Sequence, residues 1–432
     1  MTIDDINNKV NVVADSINRK RIAVLSEHLS SVDWTLAGRG KFSGVHDFHW
    51  YPARFIPQIP AYLANTLTVK GDLILDPFCG TGSTQVESLR LMRRSIGVDI
   101  HPLAVLISKT KYTFFTENTF TRLRDILRLK LSLYLSSFGK LDVIEEKEIW
   151  QDQRFLSIAS SLAVPDIFLT DRWYHPRTLL ELASIRKAIN EISDPETQEV
   201  REFMDLCLVA FSSILKKCSS QKEHMSYVAD NMIPSILKYE PAPKYFWKQI
   251  AKYVLALNQL EFELQQAFGD IPNTQELAQT IIGDAKDLHF IQDGQIDCII
   301  TSPPYQGAID TTTAHRLTAY WLDFDLPSLK QSEIGARWRR SRKNAFEEYS
   351  ADLTLVFREM KRVLKRGGTL ALILGRPSAR RKPLEISSLV DKLLVNDLGF
   401  IKVGPPIVRQ TMPERKSVKS VKEDIIMVFL KD

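Results

Sequence analysis

The segment of this 432-residue chain whose residue types best suit chemistry is Ser302-Pro303-Pro304-Tyr305. It follows an apolar run, residues 296–300, whose β-branched side chains predict a buried strand. Consecutive prolines restrict φ and remove N–H donors, so the backbone carbonyls are left as acceptors. A hydroxyl, free carbonyls and an aromatic face suit a planar ring that carries an amine. So short a motif also fits an ordinary strand-to-loop turn.

A glycine turn follows a second predicted strand, where residues 76–82 read Asp-Pro-Phe-Cys-Gly-Thr-Gly. Glycines let a backbone approach a ligand closely, and we expect a helix to open at Ser83 or Thr84, with one of them as N-cap. The turn lacks the third glycine of the dinucleotide fingerprint and the lysine of a P-loop, which disfavours a nicotinamide or ATP cofactor. Asp99, at the tip of the next predicted strand, is placed to hydrogen-bond a ribose.

Two further segments complete the pattern, His49-Trp-Tyr-Pro-Ala-Arg-Phe-Ile-Pro57 upstream and Gly283-Asp284-Ala285 before the strand at 296–300. With these four motifs in order, the chain resembles the amino-methylating DNA methyltransferases, which use S-adenosylmethionine to methylate the exocyclic amine of cytosine or adenine. The Ser form of the motif at 302–305 is more often associated with cytosine N4 than the Asp form is. The cofactor motifs here precede the catalytic motif, which leaves the location of target recognition open.

The resemblance implies residues for each role. The implied cofactor-binding residues are Pro52, Phe55, Asp76, Phe78, Gly80, Gly82, Thr84, Asp99, Asp284 and Ala285. The implied catalytic residues are Ser302, Pro303, Pro304 and Tyr305. Ser302 Oγ and the Pro303 carbonyl are expected to hold the amine while Tyr305 stacks on a flipped base. No cysteine lies at this turn, which argues against cytosine C5 chemistry, and the reaction needs no metal.

Composition sets the outer bounds. The chain is 44% hydrophobic and 25% charged with a formal net charge of +5, which is typical of a soluble globular protein of two or three domains. This charge permits nucleic acid binding without demonstrating it. Four scattered cysteines show no disulfide framework or zinc spacing. Without a secretory start or a membrane-length apolar run, we expect a cytoplasmic protein with no membrane partner.

The order of predicted elements indicates an α/β fold, a Rossmann-like methyltransferase sheet that is mostly parallel with its last strand antiparallel. We divide the chain into a helical arm at 1–40, a cofactor-binding half at 41–111, a helical insertion at 112–279 and a catalytic half at 280–432. The arm is expected to cover the core; a dimerisation or DNA-contacting arm is the alternative. The insertion interrupts one fold, so its ends must lie close together, and it is a candidate for target recognition.

The densest basic cluster contains Arg337, Trp338, Arg339, Arg340 and Arg342. Cations around an aromatic ring suit a phosphate backbone beside an unstacked base, and a solvated loop is the alternative. Residues 216–222 form a smaller basic segment that reads equally well as a DNA contact or as a solvated helix end. His46 and His49 lack further ligands at metal spacing, so we expect them to form hydrogen bonds within a packed loop.

We therefore expect a site-specific methyltransferase acting on double-stranded DNA, with cytosine N4 favoured over adenine N6. A cognate restriction or defence protein is a possible partner, and the sequence does not indicate an oligomeric state. Two other functions stay open: an RNA guanine-N2 methyltransferase, whose motif usually begins with Asp or Asn, and an inactive DNA-binding regulator. The intact set of motif residues speaks against the regulator.

Overall fold

The computed structural model describes residues 19–34, 42–52, 54–138, 148–192, 197–221, 233–269, 273–307, 310–339, 341–375, 384–411 and 422–432. The strands are β1 (Leu73–Asp76), β2 (Arg94–Asp99), β3 (Ala278–Ile282), β4 (Ile296–Thr301), β5 (Leu364–Gly375), β6 (Phe400–Lys402), β7 (Ile407–Thr411) and β8 (Lys422–Lys431). The helices of the first half are α1 (19–31), α2 (Gln58–Leu67), α3 (Ser83–Arg90) and α4 (Pro102–Thr110). The helices that follow are α5 (Glu117–Ser136), α6 (Gln153–Ser161), α7 (Pro176–Asn190), α8 (Gln198–Cys218), α9 (Ala242–Phe268) and α10 (Thr274–Leu277). The remaining helices are α11 (Thr311–Ala314), α12 (Arg316–Trp321), α13 (Leu326–Ser332), α14 (Ala345–Val363) and α15 (Leu384–Asp391), the last extended by a π-helical turn, Lys392–Asp397.

The described strands form one sheet in the order β3-β2-β1-β4-β5-β8-β6, with β7 also paired to β8. Strands β1 to β5 pair in parallel, whereas β8 runs antiparallel to its neighbours β5, β6 and β7. The predicted sheet, mostly parallel with a reversed last strand, is confirmed. Its central strands are buried, as their continuous apolar runs require when helices cover both faces.

Glycines just after a helix are a common stop signal, but Gly367 and Gly368 do not end α14. Helix α14 stops at Val363, and Leu364 is already extended because its side chain is fully buried in the core. The glycines instead lie in a bulge of β5, where the pairing with β4 shifts register and Gly367 takes a φ of 71°. A Cβ on Gly368 would lie 2.9 Å from the Leu364 side chain.

The predicted side-chain cap of α3 is wrong. The N-cap position is held by Gly82 with a φ of 74°, and no side chain caps the helix. Thr84 Oγ1 donates instead to Asp76 Oδ2 at 2.6 Å, because this buried carboxylate competes for the hydroxyl. Gly82 is required for a second reason, since a Cβ there would lie 2.0 Å from Ser108 Oγ.

Helices α5 to α10 form the helical region between the two halves of the sheet. Its two ends meet, because Tyr112 Oη lies 2.7 Å from Thr280 Oγ1 and Thr274 Oγ1 donates to the Tyr112 carbonyl at 2.8 Å. The hydrophobic core of this region also includes α12, where Trp321 is fully buried and stacks on Phe168 at 5.0 Å. The segment after the predicted catalytic turn, residues 302–305, is thus packed against the insertion.

Helix α1 and the residues after it lie against the sheet. Leu29 and Trp34 are buried in the same cluster as Ile74 of β1, whereas Val24 is exposed. The Trp34 carbonyl accepts a hydrogen bond from Arg409 Nε at 3.0 Å, which ties this segment to β7. Residues 1–18, which complete the predicted arm, lie outside the described ranges. Within the described ranges no helix combines the length and apolar character needed to cross a membrane.

Asp76 connects the part of the sheet that precedes the helical region to the part that follows it. Its fully buried carboxylate accepts hydrogen bonds from Thr84 Oγ1 of α3, Thr301 Oγ1 of β4 at 2.7 Å and the Phe78 N–H at 3.2 Å. Burial raises the pKa of Asp76 to about 6, although these donors oppose the shift. The carboxylate therefore joins the glycine turn, α3 and the strand that carries the catalytic segment.

We predict that Thr301→Val lowers the free energy of unfolding by about 1 kcal/mol, because it removes a donor from a buried carboxylate. The loss should be larger at about pH 8 than at about pH 5, since the donor stabilises the ionised form of a carboxyl group with a raised pKa. Urea unfolding measures both values. Thr369→Val is the matched control, because the hydroxyl of Thr369 bonds to the Cys298 thiol, at 3.2 Å, and to no carboxylate of the described residues. Equal losses in the two variants would contradict the role of Asp76.

Candidate active site

A cleft lies at the carboxyl ends of the central strands, where α/β sheets place their ligands. Residues of the glycine turn, the segment at 51–55, the ends of β2 and β3 and the catalytic turn meet there. The predicted site residues that line it are Pro52, Phe55, Phe78, Gly80, Asp99, Asp284, Ala285, Ser302 and Pro304. Four motifs that are far apart in the chain thus share one cavity.

The glycine turn presents its backbone to the cleft. Gly80 has a φ of 49°, and the nearest atom to a Cβ placed there is Tyr51 Cε1 at 4.0 Å. The space beside Gly80 is therefore open for a ligand to approach the main chain. Beneath the turn, the fully buried Lys111 donates from Nζ to the Thr81 carbonyl at 2.5 Å and to the Thr81 hydroxyl at 3.2 Å. Burial holds the pKa of Lys111 well below its usual value.

Asp99 holds its carboxylate at the rim of the cleft. Its oxygens accept the Gly80 N–H at 3.0 Å and the His101 N–H at 2.8 Å, which fixes the side chain at the end of β2. Burial raises the pKa of Asp99 to about 6. The group is half-buried, so further donors from a ligand can reach it.

Three predicted cofactor residues do not line the cleft. Asp76 and Thr84 are bonded to each other beneath the turn, and Gly82 packs on Ser108. These residues shape the turn from behind instead of facing the cavity. Among the predicted catalytic residues, Pro303 is buried and Tyr305 lies beside the cleft without lining it.

Two tyrosine hydroxyls hold the catalytic turn. Tyr305 Oη lies 2.7 Å from Ser302 Oγ, and it donates to the Ile373 carbonyl of β5 at 3.3 Å. Tyr349 Oη of α14 donates to the Pro304 carbonyl at 3.0 Å. The Pro304 carbonyl thus already accepts one hydrogen bond from the protein, and Ser302 Oγ has the Tyr305 hydroxyl as its neighbour.

The sequence motifs do not reveal Glu333, which lines the cleft from the segment after α13. This buried carboxylate accepts the Thr311 N–H at 2.7 Å and the Thr312 hydroxyl at 3.1 Å, and burial raises its pKa to about 6. It therefore holds the start of α11 over the cavity. No motif marks Glu333 in the chain, so only the fold could reveal it.

Three histidines near the cleft were not predicted as site residues. The sequence predicted only packing hydrogen bonds for His49, and it gave no role to His101 or His315. Burial lowers the pKa of His49 and His101 to about 4 and holds that of His315 well below its usual value, so all three are neutral near pH 7. The Tyr51 ring stacks on His315 at 4.8 Å. His101 Nδ1 accepts the Leu103 N–H at 3.2 Å, which places its proton on Nε2.

His101 Nε2 is buried and has no hydrogen-bond partner among the described residues, although His101 lines the cleft. His101 therefore keeps an N–H that none of the described residues accepts. His46 and His49 form hydrogen bonds, as expected, but mostly with helices outside their loop: His46 Nε2 lies 2.7 Å from Glu87 Oε1 of α3, and His49 bonds to the Trp50 carbonyl and to Ser212 of α8. The described residues contain no group of side chains arranged to hold a metal ion.

The basic cluster lies next to the catalytic turn. Gly307 N–H donates to the Gly335 carbonyl at 2.7 Å, just before the short 3-10 helix Arg337–Arg339. Trp338 is 39% exposed, and the guanidinium groups of Arg339 and Arg342 lie over its ring at 5.1 and 4.6 Å. Arg340 lies outside the described residues.

The second basic segment, residues 216–222, begins within the last turn of helix α8. Helix α8 runs to Cys218, and Ser219 and Gln221 are buried. Only Lys217 of the described part is exposed, with Nζ 3.7 Å above the Tyr245 ring. This geometry favours the interpretation of a solvated helix end.

Comparison with known proteins gives a consistent result. A family model described as DNA methylase matches residues 25–110 and 296–432, about half of the chain, and omits the helical insertion. The type II methyltransferase M.MjaII of Methanocaldococcus jannaschii is 24% identical over 79% of this chain and 75% of its own length. M.BsoBI of Geobacillus stearothermophilus is 25% identical over 88% and 82%, and M.MvaI of Kocuria varians is 27% identical over 65% and 58%.

The matched residues contain the glycine turn, Asp99, the catalytic turn and the basic cluster, and the structure gathers the first three around one cleft. The chain belongs to the DNA methylase family, the amino-methylating DNA methyltransferases.

Proposed function

We propose that this protein transfers a methyl group from S-adenosylmethionine to the N4 amine of a flipped cytosine in double-stranded DNA. The observation that carries the proposal is the position of Ser302 at the end of β4, in the same cleft as the glycine turn and Asp99. Ser in place of Asp at this position supports cytosine. Adenine N6 is the second candidate, because its exocyclic amine needs the same acceptors.

The cleft has the features that the cofactor requires. The open main chain at Gly80 provides a cradle, the Asp99 carboxylate provides acceptors for ribose hydroxyls, and Phe78 and Ala285 provide apolar walls. Asp99, Asp284 and Glu333 line the cavity with a single cationic neighbour, Arg54, among the described lining residues. Such acidic walls favour a cationic ligand.

S-adenosylmethionine would supply a methyl group on a sulfonium: the nitrogen lone pair would form the new N–C bond as the C–S bond breaks, and the sulfur would leave as the neutral thioether of S-adenosylhomocysteine. The protein must therefore position and activate a weakly nucleophilic amine, whose lone pair is delocalised into the base. Ser302 Oγ and the Pro303 carbonyl accept the amine hydrogens, which favours a tetrahedral nitrogen and stabilises its developing charge. The nitrogen then releases one proton to water. The Tyr305 ring, on the same turn, stacks on the base.

DNA approaches from the side of the basic cluster. Arg337, Arg342 and the Trp338 ring are exposed beside the catalytic turn, where a phosphate backbone and an unstacked base would be close to Ser302. The insertion, which packs on α12, forms the other side of the approach and is our candidate for target recognition. A restriction or defence partner is a further part of this proposal.

Labelled methyl transfer to unmethylated duplex DNA, followed by nucleoside mass spectrometry, tests the proposal. We expect N4-methylcytosine from the wild type and a strongly reduced but measurable rate of incorporation from Ser302→Ala. Detection of N6-methyladenine instead would identify adenine as the target base, and the protein would still be a DNA amino-methyltransferase. Cofactor binding without incorporation into DNA, together with methylation of tRNA, would establish the RNA guanine-N2 alternative, and a failure to bind the cofactor would favour an inactive regulator.

Asp99→Asn should weaken binding of S-adenosylmethionine about tenfold or more, because it removes a charged acceptor. Wild-type affinity should rise as pH increases through about 6, since the ionised carboxylate is the binding form, and the rise should be smaller in the variant, where Glu333 is still a cleft carboxylate with a pKa of about 6. Calorimetric titration across this range measures both effects. Asp287→Asn, at an exposed carboxylate outside the cleft, is the control. A parallel pH dependence in wild type and Asp99→Asn would assign the titration to another group.

Arg337→Ala combined with Arg342→Ala should weaken duplex binding equally for all sequences. The slope of log affinity against log salt should fall by about 1 for each phosphate group that the variant no longer neutralises. Fluorescence anisotropy at several salt concentrations measures this slope. Lys70→Ala is the matched control, because Lys70 is exposed and precedes β1, at the end of that strand opposite to the cleft. An unchanged slope in the double variant would leave the cluster as a solvated loop.

A further inference from the structure

The Tyr305 hydroxyl lies between two oxygen atoms. Ser302 Oγ is 2.7 Å away and the Ile373 carbonyl of β5 is 3.3 Å away. A phenol has a single hydrogen to donate, and a carbonyl can only accept. When the phenol donates to Ile373, the hydrogen bond to Ser302 must come from the serine.

The direction of this hydrogen bond decides what Ser302 offers to an amine. If Ser302 donates to Tyr305, both lone pairs of its oxygen stay available, and donation also makes that oxygen a better acceptor. If Tyr305 donates to Ser302, one lone pair is used and the serine hydrogen is left without a partner at the cleft. That hydrogen would oppose the hydrogens of an incoming amine.

The surroundings hold the Tyr305 ring in place. A Cβ on Gly375, at the end of β5, would lie 2.6 Å from Tyr305 Cε2 and 3.0 Å from its hydroxyl oxygen. The ring therefore packs directly on the strand backbone, and the glycine is needed for space. On the other side, Tyr349 holds the Pro304 carbonyl and fixes the turn.

We propose that Tyr305 is a positioning residue as well as a stacking residue: its hydroxyl accepts the Ser302 hydrogen, donates its own to Ile373, and so keeps Ser302 Oγ as an acceptor for the target amine. This inference rests on the proposed function, because it concerns how that function orients its amine. No covalent bond is made or broken along Ser302, Tyr305 and Ile373. The ring and the hydroxyl of Tyr305 thus have separable roles.

Tyr305→Phe separates them, since it keeps the ring and removes the hydroxyl. We expect kcat to fall about tenfold with little change in KM for DNA, the effect of one hydrogen bond removed from the transition state. In the Ser302→Ala background the same substitution should change the single-turnover rate less than about twofold, because the hydroxyl acts through Ser302. Labelled methyl followed over hours keeps these slow variants measurable.

Tyr349→Phe is the matched control, because it removes another phenol from the same turn without touching Ser302. Its effect should persist in full in the Ser302→Ala background. Tyr305→Phe with wild-type kcat, or with an equal loss in both backgrounds, would overturn the positioning role and leave the proposed function standing. A wild type that binds the cofactor and methylates no DNA would overturn the proposed function, and this inference with it.

Discussion

The buried carboxylate of Asp76 is the constraint on which the site depends. It collects donors from α3, from β4 and from the turn at Phe78, so the cofactor half and the catalytic half share one anchor, although Asp76 and Thr301 are 225 residues apart. A buried charge is tolerated only when hydrogen bonds satisfy it, and here each bond also fixes an element that faces the cleft. The residue that the family pattern suggests as a cofactor ligand works in this structure from behind the cofactor turn.

Much of the fold could be read from the chain because its central strands are continuous apolar runs and its turns carry glycine and proline at the strand ends. The mostly parallel sheet and the reversed β8 follow from that alternation. The sequence could not predict details that depend on which of several competing partners a side chain contacts in the fold. Ser83 or Thr84 was expected to cap α3, but Gly82 holds the N-cap position and the Thr84 hydroxyl is taken by Asp76. The glycines after α14 lie in a bulge of β5, next to the buried Leu364.

The candidate site likewise contains residues that the sequence predicted and residues that only the fold reveals. Gly80, Asp99 and Ser302 stand in recognisable motifs at strand ends, and the fold brings them to one cleft. No local sequence pattern marks Glu333 or His101. Both are buried, and they differ in their hydrogen bonds: the Glu333 carboxylate has partners, whereas His101 Nε2 has none among the described residues. His101 lines the cleft as a neutral polar side chain, while Asp99, Asp284 and Glu333 supply its acidic groups.

Trp321 belongs to α12 of the catalytic half, yet it is buried in the core of the insertion, where it stacks on Phe168. The insertion is therefore not a detachable module, even though its two ends meet at Tyr112 and Thr280. A lineage that exchanged this insertion for another would have to change α12 in the same event or leave a large aromatic side chain without a cavity to fill. Exchange of the insertion in such chains should then appear as paired changes in the insertion and in the segment after residues 302–305.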